Sequence, residues 1–205
     1  MKRVFTLLVF MMLAFVPLAA AQPPAAAAPA AAPAATEPLS VSLKALYDGV
    51  KRNVVETADK FSDDLYAFKP TPEVMSVGEM LGHVANSNYS YCSRVKGEKN
   101  PNASDFQKTP TKVIVKQGLA DSFAYCDAVY GGMTDKAALE PVPAVAPATP
   151  PAAGQKPAPP PPIRARLLVT VISHTNEHYG NLVTYMRLKG MVPPSTERAQ
   201  QQMKR

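Results

Sequence analysis

Several features that would each point to a different kind of protein are scarce or missing in this chain of 205 residues. It holds only two cysteines and three histidines, and beyond its first residues no apolar run reaches the ~20 residues that a bilayer core demands. No stretch alternates apolar and polar residues strongly enough to compete with helical patterning, so strands have no signal. Basic charge is present but does not gather. The formal net charge of +6 falls to +4 once Lys2 and Arg3 are set aside, and much of the excess is spread over Arg164, Arg166, Arg198, Lys204 and Arg205. A nucleic-acid binder concentrates such charge on one face and interleaves aromatics. Neither feature is present, and no nucleic-acid partner is expected.

The start of the chain reads as a secretory signal peptide over 1–21. Lys2 and Arg3 form a positive end, Val4 to Leu18 is apolar apart from Thr6, and Ala19-Ala20-Ala21 offers the small residues a signal peptidase accepts. Cleavage after Ala21 leaves Gln22 first and no membrane span. An uncleaved anchor is the alternative, but about 15 apolar residues are short for it. The residue directly after the cleavage site is Gln22 rather than a cysteine, which argues against a lipid anchor. The expected location is periplasmic or secreted. In such an oxidising compartment Cys92 and Cys126 favour a disulfide over free thiols.

Proline divides the rest of the chain. Of 22 prolines, 15 fall in 22–38 and 141–162, both Ala/Pro-rich and almost without large apolar residues. Such segments bury too little to offset their ordering entropy. The first is expected to be a linker and the second a proline-rich disordered loop, acting as a spacer rather than a docking site.

Between and after these two segments lie four amphipathic helical patterns. The first places Leu39, Leu43, Leu46, Tyr47, Val50, Val54, Ala58 and Phe61 on one stripe. The second opens on Ser76-Val77-Gly78-Glu79, a capping box, and continues through Met80, Leu81, Val84, Tyr91 and Val95. The third starts near Thr111, carries Val115, Leu119, Phe123, Cys126 and Tyr130, and breaks at Gly131-Gly132, where glycine tolerates a left-handed turn. Its β-branched run Val113-Ile114-Val115 is a poor helix start. The fourth runs from about Ile163 to Lys189 with Leu167, Val171, His174, His178, Leu182 and Tyr185 in line. Arg187 suits its last turn, Gly190 caps it, and Pro193-Pro194 forbids continuation. Four inward stripes predict an all-α four-helix bundle over 39–194, with a polar tail at 195–205.

His174 and His178, four residues apart, share one helix face, and that face is the apolar stripe. Buried imidazoles need partners. A metal ion shared with His83, on the second helix, would supply one; hydrogen-bonded core histidines would serve equally, and spacing leaves both readings open. Cys92 lies nine residues after His83, about 14 Å along a helix, and is a poor ligand. Placed on the inward stripe of the next helix, Cys126 is its expected disulfide partner.

The segment from Ile172 to Pro194, ISHTNEHYGNLVTYMRLKGMVPP, resembles the last helix of the DinB-like (DinB/YfiT) superfamily, with its HxxxHxGQ motif, Arg-Leu-x-Gly run and Val-Pro-Pro. The segment SVGEMLGH, ending at His83, resembles the family's early helix, which contributes a first metal histidine. The likeness covers about Leu39 to Pro194. Asn181 stands where Gln is commoner, and the loop at 141–162 is longer than the family's pattern suggests. The resemblance implies a bundle holding a divalent cation on His83, His174 and His178.

Three nitrogen ligands leave positions open for water or substrate. Imidazole ligation suits zinc or nickel, with iron or manganese as alternatives. Glu177 is a weak candidate for a base or an outer partner of the ligands; it does not stand directly after the first histidine, as in zincins. Tyr89, Tyr91 and Tyr185 are near enough in sequence to approach the site, with core packing as their default. Two functions are compatible with these residues. One is a metal-dependent hydrolase or thiol-dependent group transferase, although an exported protein meets less low-molecular-weight thiol. The other is a non-catalytic metal or small-ligand binding protein. The small-molecule partner is unspecified, and a homodimer is compatible with the sequence.

Overall fold

The computed structural model describes residues 39–143 and 159–205. The signal-peptide and linker expectations, and 144–158 of the proline-rich loop, lie outside the described residues. Among the described residues six helices occur in order: α1 (Leu39–Lys60), α2 (Val77–Lys96), α3 (Lys112–Gly131), the short α4 (Asp135–Leu139), α5 (Arg164–Leu188) and α6 (Pro194–Met203), with a 3₁₀ turn at Asp64–Ala67. Among the described residues there is no β-strand. The four long helices α1, α2, α3 and α5 form the bundle. Each of α1 and α2 packs on both α3 and α5, so α1 and α2 are diagonal and α2 and α5 are neighbours.

On α1 the buried face is Leu43, Tyr47, Val50, Val54 and Ala58, and buried Phe61 comes just after the helix. Leu39 and Leu46 were expected on this stripe but are exposed. At about 100° per residue both fall on its flank, where an apolar side chain meets solvent. Tyrosines tie the layers together. The Tyr47 ring stacks on Tyr130 at 4.0 Å, and its hydroxyl lies 3.0 Å from both the Phe123 carbonyl and Asp127 Oδ1, which share its one proton. The Tyr130 hydroxyl donates to the Leu168 carbonyl at 2.7 Å, joining α3 to α5.

The start of α2 forms as the sequence predicts. Ser76 Oγ accepts from Glu79 N at 3.2 Å, while Glu79 Oε2 accepts from Ser76 N at 2.6 Å. Helix α3 starts at Lys112 despite its β-branched residues, because Val115 is fully buried and its packing outweighs the propensity cost. It ends at Gly131, but not through a left-handed residue as expected: Gly132 has φ −93°. The left-handed glycines are Gly97 and Gly190, just beyond α2 and α5. Cys92 on α2 and Cys126 on α3 are both buried and disulfide-bonded, with Cα atoms 5.5 Å apart.

Two regions go beyond the expected architecture. The polar tail is helical from Pro194, whose ring suits a first helical turn. Ion pairs of Arg198 with Glu56 and of Lys60 with Glu197 hold it against α1. The proline-rich segment is anchored at its roots. Val142 N donates to the Pro162 carbonyl and Arg164 N to the Glu140 carbonyl, both at 2.9 Å, forming an antiparallel bridge between Pro141 and Ile163. Val142 also packs on the core. Dispensability is therefore expected of the interior alone. Because bridged residues lie about 5 Å apart, deleting 144–158 and closing with a short Gly/Ser linker should leave the Tm within a few degrees. Extending the deletion through Val142 should lower it clearly, as thermal melts would show.

Candidate metal centre

His83 projects from α2, and His174 and His178 from the adjoining face of α5. His178 is buried, whereas His83 and His174 are half-buried. Capping by Ser76 and Glu79 sets the start of α2, and the Tyr185 hydroxyl, donating to the Met75 carbonyl at 3.0 Å, ties α5 to the residue before it. That register brings the three rings together. His174 Nε2 lies 3.1 Å from His83 Nε2 and 3.1 Å from His178 Nε2. One ligand atom from each residue lies within 4.8 Å of the others.

This donor set fits a metal ion. Two nitrogens about 2.0–2.1 Å from a tetrahedral ion stand about 3.3 Å apart, close to the spacing observed. Hydrogen bonds alone satisfy the cluster poorly, because a neutral imidazole carries one proton and one acceptor nitrogen. A single Nε2–H on His174 cannot serve both neighbours, and buried His178 Nδ1 has no partner.

Burial, reinforced by the positive charge that His178 and His83 would carry, pushes the His174 pKa down to about 4; Glu177 opposes the shift. Burial and the neighbouring His83 bring His178 down to about 4 as well. Both rings are thus neutral bases at pH 7, the form that coordinates a cation. These shifts fix the sign of the stability change. Unfolded histidine titrates near 6.5, so below that pH the unfolded chain binds more protons than the folded one. In metal-stripped protein the contribution of these two rings to stability should be fully present above pH ~6.5 and be lost progressively as pH falls toward about 4. Thermal melts across that range should show the decline, and alanine at His174 and His178 together should flatten it.

The other candidates separate clearly. The Tyr91 ring stands edge-on to His174 at 5.8 Å and forms one wall of the site. Tyr89 faces Tyr125 at 5.6 Å, and Tyr185 is engaged at Met75. Glu177 is exposed and influences the cluster through its charge on His174. Cys92 is committed to its disulfide. A surface cleft near the start of α3, lined by Asp63, Lys112, Val113 and Lys116, includes none of the histidines. Gln107 was absent from the sequence-based candidates: its Oε1 lies 3.3 Å from His83 Nδ1. It sits in a polar connection without periodicity. The one hint in the sequence is Gly78 and Gly82, four apart beside His83, which announces that something lies close on that face.

The sequence pattern of the DinB superfamily matches residues 46–182, more than half of the chain and inclusive of all three histidines. Two solved structures share the fold. A DinB-like protein from Bacillus cereus ATCC 10987 is 17% identical with a TM-score of 0.57, and one from Bacillus subtilis is 21% identical with a TM-score of 0.51. Each likeness covers 74% of this chain and 93% of the other. No functionally curated protein matches the chain.

Proposed function

The chain belongs to the DinB superfamily, and from that membership we propose that it holds one divalent cation on His83, His174 and His178 and acts as an exported metal-dependent hydrolase or group transferase. The observation that carries the reading is the convergence of three Nε2 atoms from two packed helices. Zinc or nickel suits an all-imidazole donor set best, with iron or manganese as alternatives. When bound, such an ion would polarise a coordinated water or thiol. The chain's own residues set the surroundings. Buried His178 anchors the inner side, half-buried His83 and His174 leave the outer side reachable, and Tyr91 limits approach beside His174. Glu177 is the candidate proton acceptor nearest in sequence to the ligands.

A non-catalytic metal- or small-ligand-binding role is the second reading. It is favoured by the hydrogen bonding among the described residues, where the histidines pair only with one another and with Gln107. The discriminating experiment is a screen of hydrolase and thiol-transfer substrates with metal-loaded wild type and His174→Ala. Turnover lost in the variant supports the enzyme, and metal uptake without turnover supports the binding protein. Export rests on the amino-terminal pattern and the Cys92–Cys126 disulfide. No described helix is long and apolar enough to cross a membrane. Mass spectrometry of protein from its native host should find Gln22 at the amino terminus; intact Met1 in the membrane fraction would contradict export.

A further inference from the structure

The connection between α2 and α3 lies unusually close to the helices it joins. A Cβ at Gly82 would fall 2.4 Å from the Phe106 carbonyl oxygen and 2.8 Å from Gln107 N, and one at Gly78 would fall 2.2 Å from the Pro110 oxygen. On α3, a Cβ at Gly118 would meet the Phe106 ring at 2.6 Å. Three glycines thus let residues 106–110 rest directly on helix backbone, an approach that any larger residue would block. Asn86 fastens the segment: its Oδ1 accepts from Phe106 N at 3.2 Å, and its Nδ2 donates to Asp105 Oδ1 at 2.8 Å. The Phe106 side chain packs on the core.

So fixed, the segment delivers one side chain to the histidine cluster. Gln107 Oε1 stands 3.3 Å from His83 Nδ1, and its amide nitrogen donates to Met75 Sδ at 3.4 Å. Neutral histidine in water prefers the form protonated on Nε2, and in that form His83 would point N–H rather than a lone pair at its two neighbours. A carboxamide oxygen only accepts, so a hydrogen bond to Gln107 Oε1 requires the form protonated on Nδ1. His178 has no such partner on its Nδ1.

We propose that Gln107 is a positioning residue: by accepting the Nδ1–H of His83 it holds that histidine with its Nε2 lone pair toward His174 and His178, presetting the cluster for a divalent cation. This rests on the metal-binding reading above. Outer hydrogen-bond partners of metal histidines are typically worth ~10–100-fold in affinity.

The test uses metal-stripped full chain carrying ¹⁵N-labelled histidine, as wild type, Gln107→Leu and Gln107→Glu, at a pH where the rings are neutral. NMR reports the tautomer of His83, and zinc titration reports affinity. Gln107 is half-buried in a connection, so both substitutions should leave the fold intact, which circular dichroism checks. Wild type should show His83 protonated on Nδ1. Gln107→Leu should move it toward the Nε2–H form and weaken zinc binding ~10–100-fold. Gln107→Glu, still an acceptor, should keep both within a few-fold of wild type. Wild-type His83 protonated on Nε2, or a leucine variant with weakened binding but an unchanged tautomer, overturns the proposal. If wild type takes up no zinc, the metal-binding reading fails, and the tautomer comparison still decides whether Gln107 sets the proton on His83.

Discussion

Alanine at His174 or His178 should weaken divalent-cation binding at pH 7 by ~10²-fold or more. Structural zinc sites with four ligands have apparent binding free energies of ~10–16 kcal/mol, or about 3 kcal/mol for each ligand, which corresponds to about two orders of magnitude in dissociation constant. His83→Ala should behave alike, since its Nε2 lies as close to His174 as that of His178 does. Glu177→Ala, which removes an exposed carboxylate, should change affinity by no more than ~10–100-fold. Isothermal titration of the stripped proteins measures all four. Stability provides a control on folding. Because His178 Nδ1 is buried without a partner and its ring resists protonation, metal-free His178→Ala should be no more acid-sensitive than wild type. A variant that lost metal and unfolded together at neutral pH would mean that the histidine packs the core rather than serving an ion.

Loss of the Cys92–Cys126 bond should be the largest purely structural effect. The bond joins residues separated by 34 positions, and a loop of that length contributes about 4 kcal/mol of stability in the chain-entropy model. For a domain of this size that corresponds to a fall in Tm of about 10 °C. Both sulfurs lie in the core between α2 and α3, so a double serine variant would add the penalty of burying two hydroxyls. Cys92→Ala/Cys126→Ala is the cleaner substitution. Calorimetry of this variant beside the oxidised wild type measures the difference. The histidine cluster lies about 14 Å along α2 from Cys92, so zinc affinity should stay within a few-fold. Thiol titration of denatured wild type should find no free thiol; two thiols with an unchanged Tm would contradict the assignment.

Much of this architecture could be read from periodicity, because it is built from it. The stripes through Tyr47 and Val54, through Leu81 and Val84, and through Val171 and His178 repeat at helical spacing, and the residues that carry them are buried. Boundaries were legible wherever local chemistry is decisive: the Ser76–Glu79 box, Gly190 after α5, and Pro193-Pro194. Helix α6 escaped notice because it has no apolar stripe. It is held by Arg198 on Glu56 and by Lys60 on Glu197, pairings between distant residues that no spacing announces. Leu46 departs from its expected burial for the opposite reason, since an apolar residue on the flank of a stripe is indistinguishable in sequence from one at its centre. The three histidines were visible as a set through their helices and their family resemblance. Gln107 was not: its place depends on a connection seated on Gly78 and Gly82, and glycine marks a close approach without naming what approaches.

If His83, His174 and His178 share one ion, metal uptake must be stoichiometric with the chain. Chelator-stripped wild type should be titrated with zinc and nickel at pH 7 and again at pH 5, with the bound metal counted by elemental analysis. One ion should bind per chain at pH 7, Tm should rise on loading, and occupancy should decline below pH ~6.5 as protons compete for imidazole. No uptake at pH 7, or a His83→Ala variant that binds as tightly as wild type, would contradict the shared ion and leave the three histidines as a cluster packed within the bundle.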